Sequence, residues 1–345
     1  MMKKILIVLI SLLLIFAVFI FTAVFATGPS LPDAADSIID DVMNSESADE
    51  LPGETGYTDT SGFRIWYKSV KPSGVSKGDI LLVAGIAADS LWWPPCFVNE
   101  LTESGYRVIL FDNRSTGMSD WMEDYPHWRY TFSEMSADVV SVLDKLKIRE
   151  ANIIGVSMGG MIAQQTAILY PGRVKSLISI MSSANLSDTE LPHVPWKTVW
   201  NVIRISCRYG IIKSEKNIIK LHLGIWQLFR NEALSPADIK SISGRVLFNI
   251  RKRRGYNPLA LPQQFHAIIS SGSRYDGLNK LSKPALFIHG KNDPLILYPH
   301  GVKCSQLVKG SSLMLVKGIG HDIPCAHSSS VAGVITDFIS GKKYH

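Results

Sequence analysis

The pattern with the clearest chemical meaning is Gly155-Val156-Ser157-Met158-Gly159, which fits G-x-S-x-G. Five residues match such a pattern often by chance, so the surroundings decide its value. Residues 152–156 form a short, mainly apolar run typical of a buried strand, and residues 158–170 have a helical pattern that Pro171 ends. A serine on a sharp turn between strand and helix exposes its hydroxyl. The context therefore predicts that Ser157 is a catalytic nucleophile.

A base and an acid that could activate this serine follow later in the chain. A serine hydroxyl is a poor nucleophile until a base takes its proton, and the usual base is a His oriented by a carboxylate. Asp293 and His321 each follow a run that predicts a strand, in the chain order Ser, acid, His. We predict them as acid and base. Asp188, after the preceding strand, is the alternative acid, and the loop context favours Asp293.

Two backbone N–H groups are needed to stabilise the oxyanion of the reaction. One belongs to the residue after the nucleophile, which is Met158. The other comes from the loop after an early strand, predicted at residues 80–83. This points to Ile86, with Ala87 as the alternative.

The elements that must position these residues form an alternating pattern. Short apolar runs alternate with helical patterns, which is typical of a parallel sheet covered on both faces, with its chemistry at the carboxyl ends of the strands. Residues 185–275 interrupt the alternation with basic, aromatic-rich helical patterns and predict a helical insertion. The predicted strands cover residues 63–69, 80–83, 108–111, 152–156, 174–180, 285–288 and 313–316.

A family resemblance rests on two segments. Residues 112–119, DNRSTGMS, look like a D-x-R-G-x-G-x-S loop with Ser115-Thr116 in place of one Gly, and residues 155–160 read GVSMGG. With these segments the chain resembles the α/β-hydrolase superfamily from about residue 57 onward. It is similar to the enol-lactonase and aclacinomycin-methylesterase-like branch. One departure is Ala84-Gly85, where the family usually has His-Gly, and it bears on substrate subclass more than on catalysis.

The resemblance implies an α/β-hydrolase fold, a mostly parallel doubly wound sheet with a helical cap. It implies Ser157, Asp293 and His321 as a catalytic triad, and structural roles for Asp112 and Arg114. No metal ion or organic cofactor is implied. The expected parts are an anchor or signal at 1–27, an acidic linker at 28–56, a core at 57–184 and 276–345, and a cap at 185–275.

The N-terminal segment has the composition of a membrane anchor. Residues 5–26 are 22 positions without a charge, enough for a helix to cross a bilayer, and Lys3 and Lys4 precede them. Basic residues stay on the cytoplasmic side, so we expect a transmembrane helix with the rest of the chain exported. A cleaved signal peptide ending in the small residues near 24–26 is the alternative.

The charges are unevenly distributed. Residues 28–56 contain eight acids and no Lys or Arg, which predicts a solvated linker with room for a short helix at residues 37–43. The remaining chain is strongly basic, above all between residues 196 and 254. An anionic membrane surface and a merely soluble basic face both fit this excess. Export argues against a nucleic-acid partner.

The four cysteines are Cys96, Cys207, Cys304 and Cys325. None forms a close metal-ligand pair. An exported protein can hold a disulfide, and Cys304 with Cys325 is the first pair to expect, since both follow late strands. Unpaired, buried thiols are the alternative.

Together these features predict a membrane-tethered serine hydrolase that cleaves a small-molecule or lipid carboxylic ester through an acyl-enzyme. A catalytically silent fold used as a binding protein is the alternative from another class, and the three intact triad positions argue against it. The same triad also fits lactone, C–C bond or peroxide chemistry. The sequence alone does not separate these reactions.

Overall fold

A computed structural model describes residues 30–45, 51–124 and 129–342. The predicted anchor or signal at residues 5–26 lies outside these ranges. Among the residues that the structure describes, no helix is long and apolar enough to cross a membrane.

One eight-stranded sheet forms the centre of the molecule. Its strands are β1 Glu54–Thr60, β2 Phe63–Val70, β3 Asp79–Val83, β4 Arg107–Phe111, β5 Ala151–Val156, β6 Val174–Ile180, β7 Ala285–Gly290 and β8 Ser312–Val316. The order across the sheet is β1-β2-β4-β3-β5-β6-β7-β8. Strand β2 pairs antiparallel with both β1 and β4, and all other pairs are parallel. The mostly parallel sheet predicted from the apolar runs is confirmed.

Helices cover both faces of this sheet. They are α1 Ala35–Asn44, α2 Pro95–Glu103, α3 Phe132–Lys145, α4 Met158–Leu169, α5 Trp196–Gly210, α6 Glu215–Phe229, α7 Pro236–Lys252, α8 Ala260–Ser271, α9 Tyr275–Asn279, α10 Pro299–Leu307 and α11 Cys325–Ile339. Buried residues of α2 and α11 pack on one face, and those of α3, α4 and α10 pack on the other. The strands are apolar on both sides because both faces are buried.

The segment between β6 and β7 contains helices α5 to α9 and, over its whole described length, no strand. It has a small hydrophobic core of its own, in which Ile219 and Leu223 of α6 pack with Ile239 and Ile242 of α7. The helices of this insertion cover residues 196–279.

The acidic segment before β1 differs from the solvated linker that its charges predicted. Helix α1 buries Ala35, Ile39 and Val42, which recur every three to four residues and pack with the core of the insertion. Its acids lie on the opposite face, where Asp36 pairs with Lys220 and Asp40 with Lys216. The acids therefore mark the outer face of a docked helix, and β1 begins inside the predicted linker.

The disulfide prediction was wrong. Cys325, at the start of α11, is bonded to Cys96 of α2, and Cys304 of α10 is a buried free thiol. The two helices α10 and α11 follow neighbouring strands but cover opposite faces of the sheet, so Cys304 and Cys325 do not meet. Burial raises the pKa of the Cys304 thiol to about 12, which keeps it protonated and unreactive.

Candidate active site

Ser157 occupies the turn between β5 and α4. Its backbone has φ 56° and ψ −123°, a conformation that non-glycine residues rarely adopt. A Cβ atom on Gly155 would lie 2.0 Å from the Gly159 carbonyl oxygen, so only glycine fits there. The Ser157 N–H donates to the Ile180 carbonyl at 2.9 Å, which ties the turn to the end of β6. Such backbone strain is concentrated at functional sites.

Asp293 and His321 are brought together at the edge of the sheet where β7 and β8 end. The Asp293 Oδ2 lies 2.6 Å from His321 Nδ1, and Oδ1 accepts the N–H groups of Leu295 and Ile296 at 2.8 and 2.9 Å. Burial raises the pKa of this carboxyl, but the His321 charge and the hydrogen bonds from His289 and His321 together hold it below the ordinary value. The carboxylate is therefore ionised and fixed in one orientation.

The alternative acid lies elsewhere. Asp188 hydrogen-bonds the hydroxyl of Tyr275, at the edge of the insertion. His289, which was not among the predicted site residues, has Nε2 within 3.3 Å of Asp293 Oδ2 and 2.7 Å of the Ile296 carbonyl. This second His contact was missed, although its position four residues before Asp293 was visible in the sequence.

Ser157 and His321 both line one cavity of about 730 Å³. The Ser157 hydroxyl makes no hydrogen bond with the side chains that the structure describes. Hydrogen bonds between nucleophile and base are often long without substrate and shorten when it binds. The cavity thus contains a hydroxyl and an imidazole, and a buried carboxylate holds the imidazole from behind.

The predicted oxyanion donors lie beside the nucleophile. The backbone N–H groups of Ile86 and Met158 have no acceptor among the described residues. Ala87, the alternative donor, is already used, because its N–H donates to Gln264 Oε1 at 2.6 Å. Gln264 Nε2 in turn donates to the Arg114 carbonyl. Helix α8 of the insertion therefore holds the loop that carries Ile86.

The insertion also holds the loop that carries His321. The His321 N–H donates to the Phe229 carbonyl at 2.8 Å, and the two rings meet edge to face at 5.7 Å. Arg230, the next residue, pairs with Asp322 and with Asp238 at 2.7 Å each. No local pattern indicated the links from Phe229 to His321 and from Arg230 to Asp322, which join residues about 90 positions apart.

Part of the basic excess between residues 196 and 254 is neutralised inside the protein. Arg253 is buried, pairs with Asp112 and Asp89, and lies over the Trp66 ring. Burial raises the pKa of Asp89 to about 6; the Arg253 charge lowers it and the Asp112 charge raises it. Asp112 thus has the structural role that the resemblance implied. Arg114 has one too, through its buried pair with Asp138 at 2.6 Å.

The cavity wall is mainly apolar, with few polar groups. Burial lowers the pKa of His222 to about 4, so this ring is neutral, and it lies 4.2 Å from the Tyr256 ring. Burial also lowers the pKa of Arg245 to about 10, which leaves it a cation that donates to the carbonyls of Leu91 and Trp92. Such a cavity fits a lipophilic ligand with a small polar part.

The adjacent residues Trp92 and Trp93 lie in different surroundings. Trp92 lines the cavity and stacks on Trp226 at 5.6 Å, and Trp93 is buried in the core against Phe97. In the described ranges no group of three or more His, Cys, Asp or Glu is arranged to hold a metal ion. The expectation of a metal-free mechanism stays a prediction.

The sequence has recognisable relatives. A family described as alpha/beta hydrolase fold matches residues 80–205. The rhodomycin D methylesterase of Streptomyces peucetius is 24% identical over 274 residues, which cover 74% of this chain and 89% of that protein. A 2-hydroxy-6-oxononadienedioate hydrolase of Klebsiella pneumoniae is 24% identical over 276 residues, 79% of this chain and 90% of that protein.

Solved structures share the fold. The enol-lactonase of Burkholderia xenovorans is similar with a TM-score of 0.61 and 20% identity, over 83% of this chain and 100% of that one. A structure described as a membrane phospholipase A, a bacterial virulence factor, is similar with a TM-score of 0.63 and 18% identity, over 98% of both chains.

Proposed function

We propose that this chain is a serine hydrolase of the α/β-hydrolase superfamily that cleaves lipophilic carboxylic esters. The observation that carries the proposal is the 2.6 Å contact between Asp293 and His321 beside an apolar cavity that also exposes Ser157. Relatives described as hydrolases and esterases support the general class.

In the proposed reaction the Ser157 Oγ attacks the ester carbonyl while His321 Nε2 takes its proton. Asp293 keeps the imidazole in the tautomer with Nδ1 protonated and stabilises the imidazolium that forms. The N–H groups of Ile86 and Met158 donate to the oxyanion, each contributing about 3 kcal/mol to the transition state. His321 then protonates the leaving alcohol, and water resolves the acyl-enzyme by the same steps in reverse.

The cavity supports a lipophilic ester rather than a small polar one. Its wall is mainly apolar and includes Trp92, Trp226 and Phe265, and the buried His222 is neutral. A volume of about 730 Å³ accommodates a ligand of drug size or a medium acyl chain. The similar structures include an enol-lactonase and a membrane phospholipase A, and the relatives include a methylesterase, all of which act on carboxylic esters or lactones.

We also propose that residues 5–26 tether the enzyme to a membrane, with the catalytic part outside the cytoplasm. The length of this uncharged run and the preceding Lys3 and Lys4 support this orientation. The disulfide between Cys96 and Cys325 supports an oxidising compartment. Release after signal cleavage is the alternative, and the intact mass of the protein recovered from washed membranes distinguishes the two.

The nucleophile is tested with a fluorophosphonate probe on three proteins: the native chain, Ser157→Ala and Ser340→Ala, which removes an exposed serine at the end of α11. We expect labelling of the native protein and of Ser340→Ala only. Equal labelling of all three would contradict the mechanism.

The reaction class is tested next with a substrate panel. It contains p-nitrophenyl esters of rising acyl length, an aliphatic lactone and a vinylogous 1,5-diketone as a C–C substrate. We expect the esters of medium and long acyl chains to be preferred, because the cavity is apolar. A clear preference for the diketone would replace ester hydrolysis with C–C bond cleavage by the same three residues.

A further inference from the structure

Helix α5 exposes large apolar side chains that no described residue covers. Trp196 is 71% exposed and Ile203 40%, and Ile211 and Ile212, directly after the helix, are 69% and 70% exposed. Positions 196, 203 and 211 lie about two helical turns apart, which places them on one side of the helix. On α5 only Thr198 and Ile205 are buried. The helix therefore attaches by a narrow stripe and presents an apolar side outward.

Helix α8 presents a second apolar stripe at the mouth of the cavity. Leu261, Phe265 and Ile269 follow one another at four-residue intervals, and each is 54% exposed. All three also line the cavity that contains Ser157. Val194, just before α5, is likewise both exposed and part of the cavity wall. The path to Ser157 thus opens onto apolar surface, which we call the rim surface: the exposed apolar residues of α5 with its flanks and of α8.

The charges around α5 are of one sign. Residues 191–214 include Lys197, Arg204, Arg208 and Lys213 and no Asp or Glu. A helix with an apolar side, aromatic residues and only basic charges is typical of segments that lie in the interface of an anionic bilayer. The negative potential of such a surface attracts nearby Lys and Arg side chains.

Helix α1, the first described helix, lies against the insertion. Helix α1 packs on α6 and α7, and its Asp36 and Asp40 pair with Lys220 and Lys216 of α6 at 2.5 Å. Residues 27–34, which separate the apolar run from α1, span at most about 28 Å when fully extended. A tether in the membrane therefore keeps the insertion, and not the opposite end of the molecule, near the lipid.

We propose that the rim surface docks on an anionic lipid bilayer, so that a lipid ester passes from the membrane into the cavity without crossing water. This rests on the proposed ester hydrolysis at Ser157 and adds the source of the substrate. The α5 part supplies the docking contacts, and the α8 part lines the path. A soluble ester enters the same cavity from water and does not need the docking contacts.

The experiment uses the full chain reconstituted in nanodiscs of phosphatidylglycerol and phosphatidylcholine. The test variant is Trp196→Ser/Ile211→Ser/Ile212→Ser, whose positions do not line the cavity. The matched control is Val75→Ser/Leu169→Ser/Leu313→Ser, which removes three exposed apolar side chains that lie outside the insertion. Two rates are measured: hydrolysis of a diacyl phospholipid in the same disc and of p-nitrophenyl butyrate in the buffer.

We expect the test variant to lose about tenfold on the phospholipid, since three large side chains no longer enter the interface, and to keep its rate on p-nitrophenyl butyrate. The control variant keeps both rates. The loss is expected to be greater in discs rich in phosphatidylglycerol. Equal phospholipid rates for the test variant and the native chain would overturn the proposal.

A second readout separates docking from hydrolysis. Brominated lipids are expected to quench the native protein more than Trp196→Phe, because Trp196 is the most exposed of the described tryptophans. Absence of this difference overturns the docking, whatever the activity. Quenching with no hydrolysis of either substrate retains the docking and removes the proposed ester hydrolysis. A native dimer in detergent that Trp196→Ser/Ile211→Ser/Ile212→Ser makes monomeric, without quenching, would assign the rim surface to a second copy of the chain.

Discussion

Two regions build the cavity around Ser157, and they hold their side chains by different means. At the sheet edge, Ser157 and Asp293 sit in turns directly after β5 and β7, fixed by nearby backbone groups. The insertion acts through side chains that reach across long stretches of sequence, as Arg253 does to Asp112 and Gln264 to Ala87. Ser157 and Asp293 are thus positioned locally, whereas His321 and the loops around the cavity are also held at long range, as the Phe229 carbonyl holds the His321 N–H.

The largest effect is expected from replacing the Asp293 carboxylate at the sheet edge. Asp293→Asn is expected to lower kcat by about 10⁴-fold, because the amide favours the wrong tautomer of His321. Asp188→Asn, the matched acid that contacts Tyr275 instead, is expected to change kcat by about twofold or less. Steady-state kinetics on a p-nitrophenyl ester measures both. Similar losses in the two variants would remove Asp293 from the proposed triad.

The contacts between the insertion and the sheet are tested by measuring stability. Arg253→Met leaves the buried carboxylates of Asp89 and Asp112 without their cation, so we expect the free energy of unfolding to fall by about 3–5 kcal/mol. Arg251→Met, two positions earlier, breaks an exposed pair with Glu215 and is expected to cost about 1 kcal/mol or less. Urea denaturation compares the two. Equal losses would mean that the insertion is not held to the core by Arg253.

The same contrast explains what the sequence could reveal. Strand-ending turns are encoded by adjacent residues, so the positions of Ser157, Asp293 and His321 just after three strands could be predicted from the apolar runs that precede them. The link from Arg230 to Asp322 depends on how α6 packs above the sheet, and nothing in the local pattern indicates it. The pairing of Cys96 with Cys325 was missed for the same reason, since it depends on which face each helix covers.

The acidic segment shows a different limit. Its charge composition favoured a solvated chain, but the spacing of Ala35, Ile39 and Val42 builds a docked helix once the insertion offers an apolar surface. Composition describes the segment alone, and the docked structure depends on a partner surface elsewhere in the chain.

The stability of the junction between the insertion and the sheet is expected to depend on pH, because a buried carboxyl lies there. Asp89, in the loop after β3, contacts Asn249 of α7 and Arg253, the residue directly after that helix. Its pKa is raised from 3.8 to about 6, chiefly by burial. Since the folded state binds this proton more tightly, the stability contributed by Asp89 is complete below pH 4 and is lost as pH rises through 6.

We therefore compare the native chain with Asp89→Asn in urea denaturation at several pH values. From pH 4 to pH 7 the native chain is expected to lose on the order of 2 kcal/mol more unfolding free energy than Asp89→Asn does. Because other carboxyls titrate in both proteins, only the difference reports Asp89. Parallel stability profiles for the two proteins would show that the carboxyl titrates normally at this junction.

The smallest expected effect tests whether the insertion reaches the chemistry at all. Gln264 accepts the Ala87 N–H and thereby holds the loop that presents the Ile86 N–H, so Gln264→Leu is expected to lower kcat by about tenfold with little change in KM. Gln263→Leu, its neighbour on α8, loses only a bond to the Met122 carbonyl and serves as the control. A structural role alone would lower stability in both variants and leave kcat per folded molecule unchanged. If Gln264→Leu behaves in this way, the insertion governs access and stability, and the sheet edge with its adjoining loops is sufficient for the chemical step.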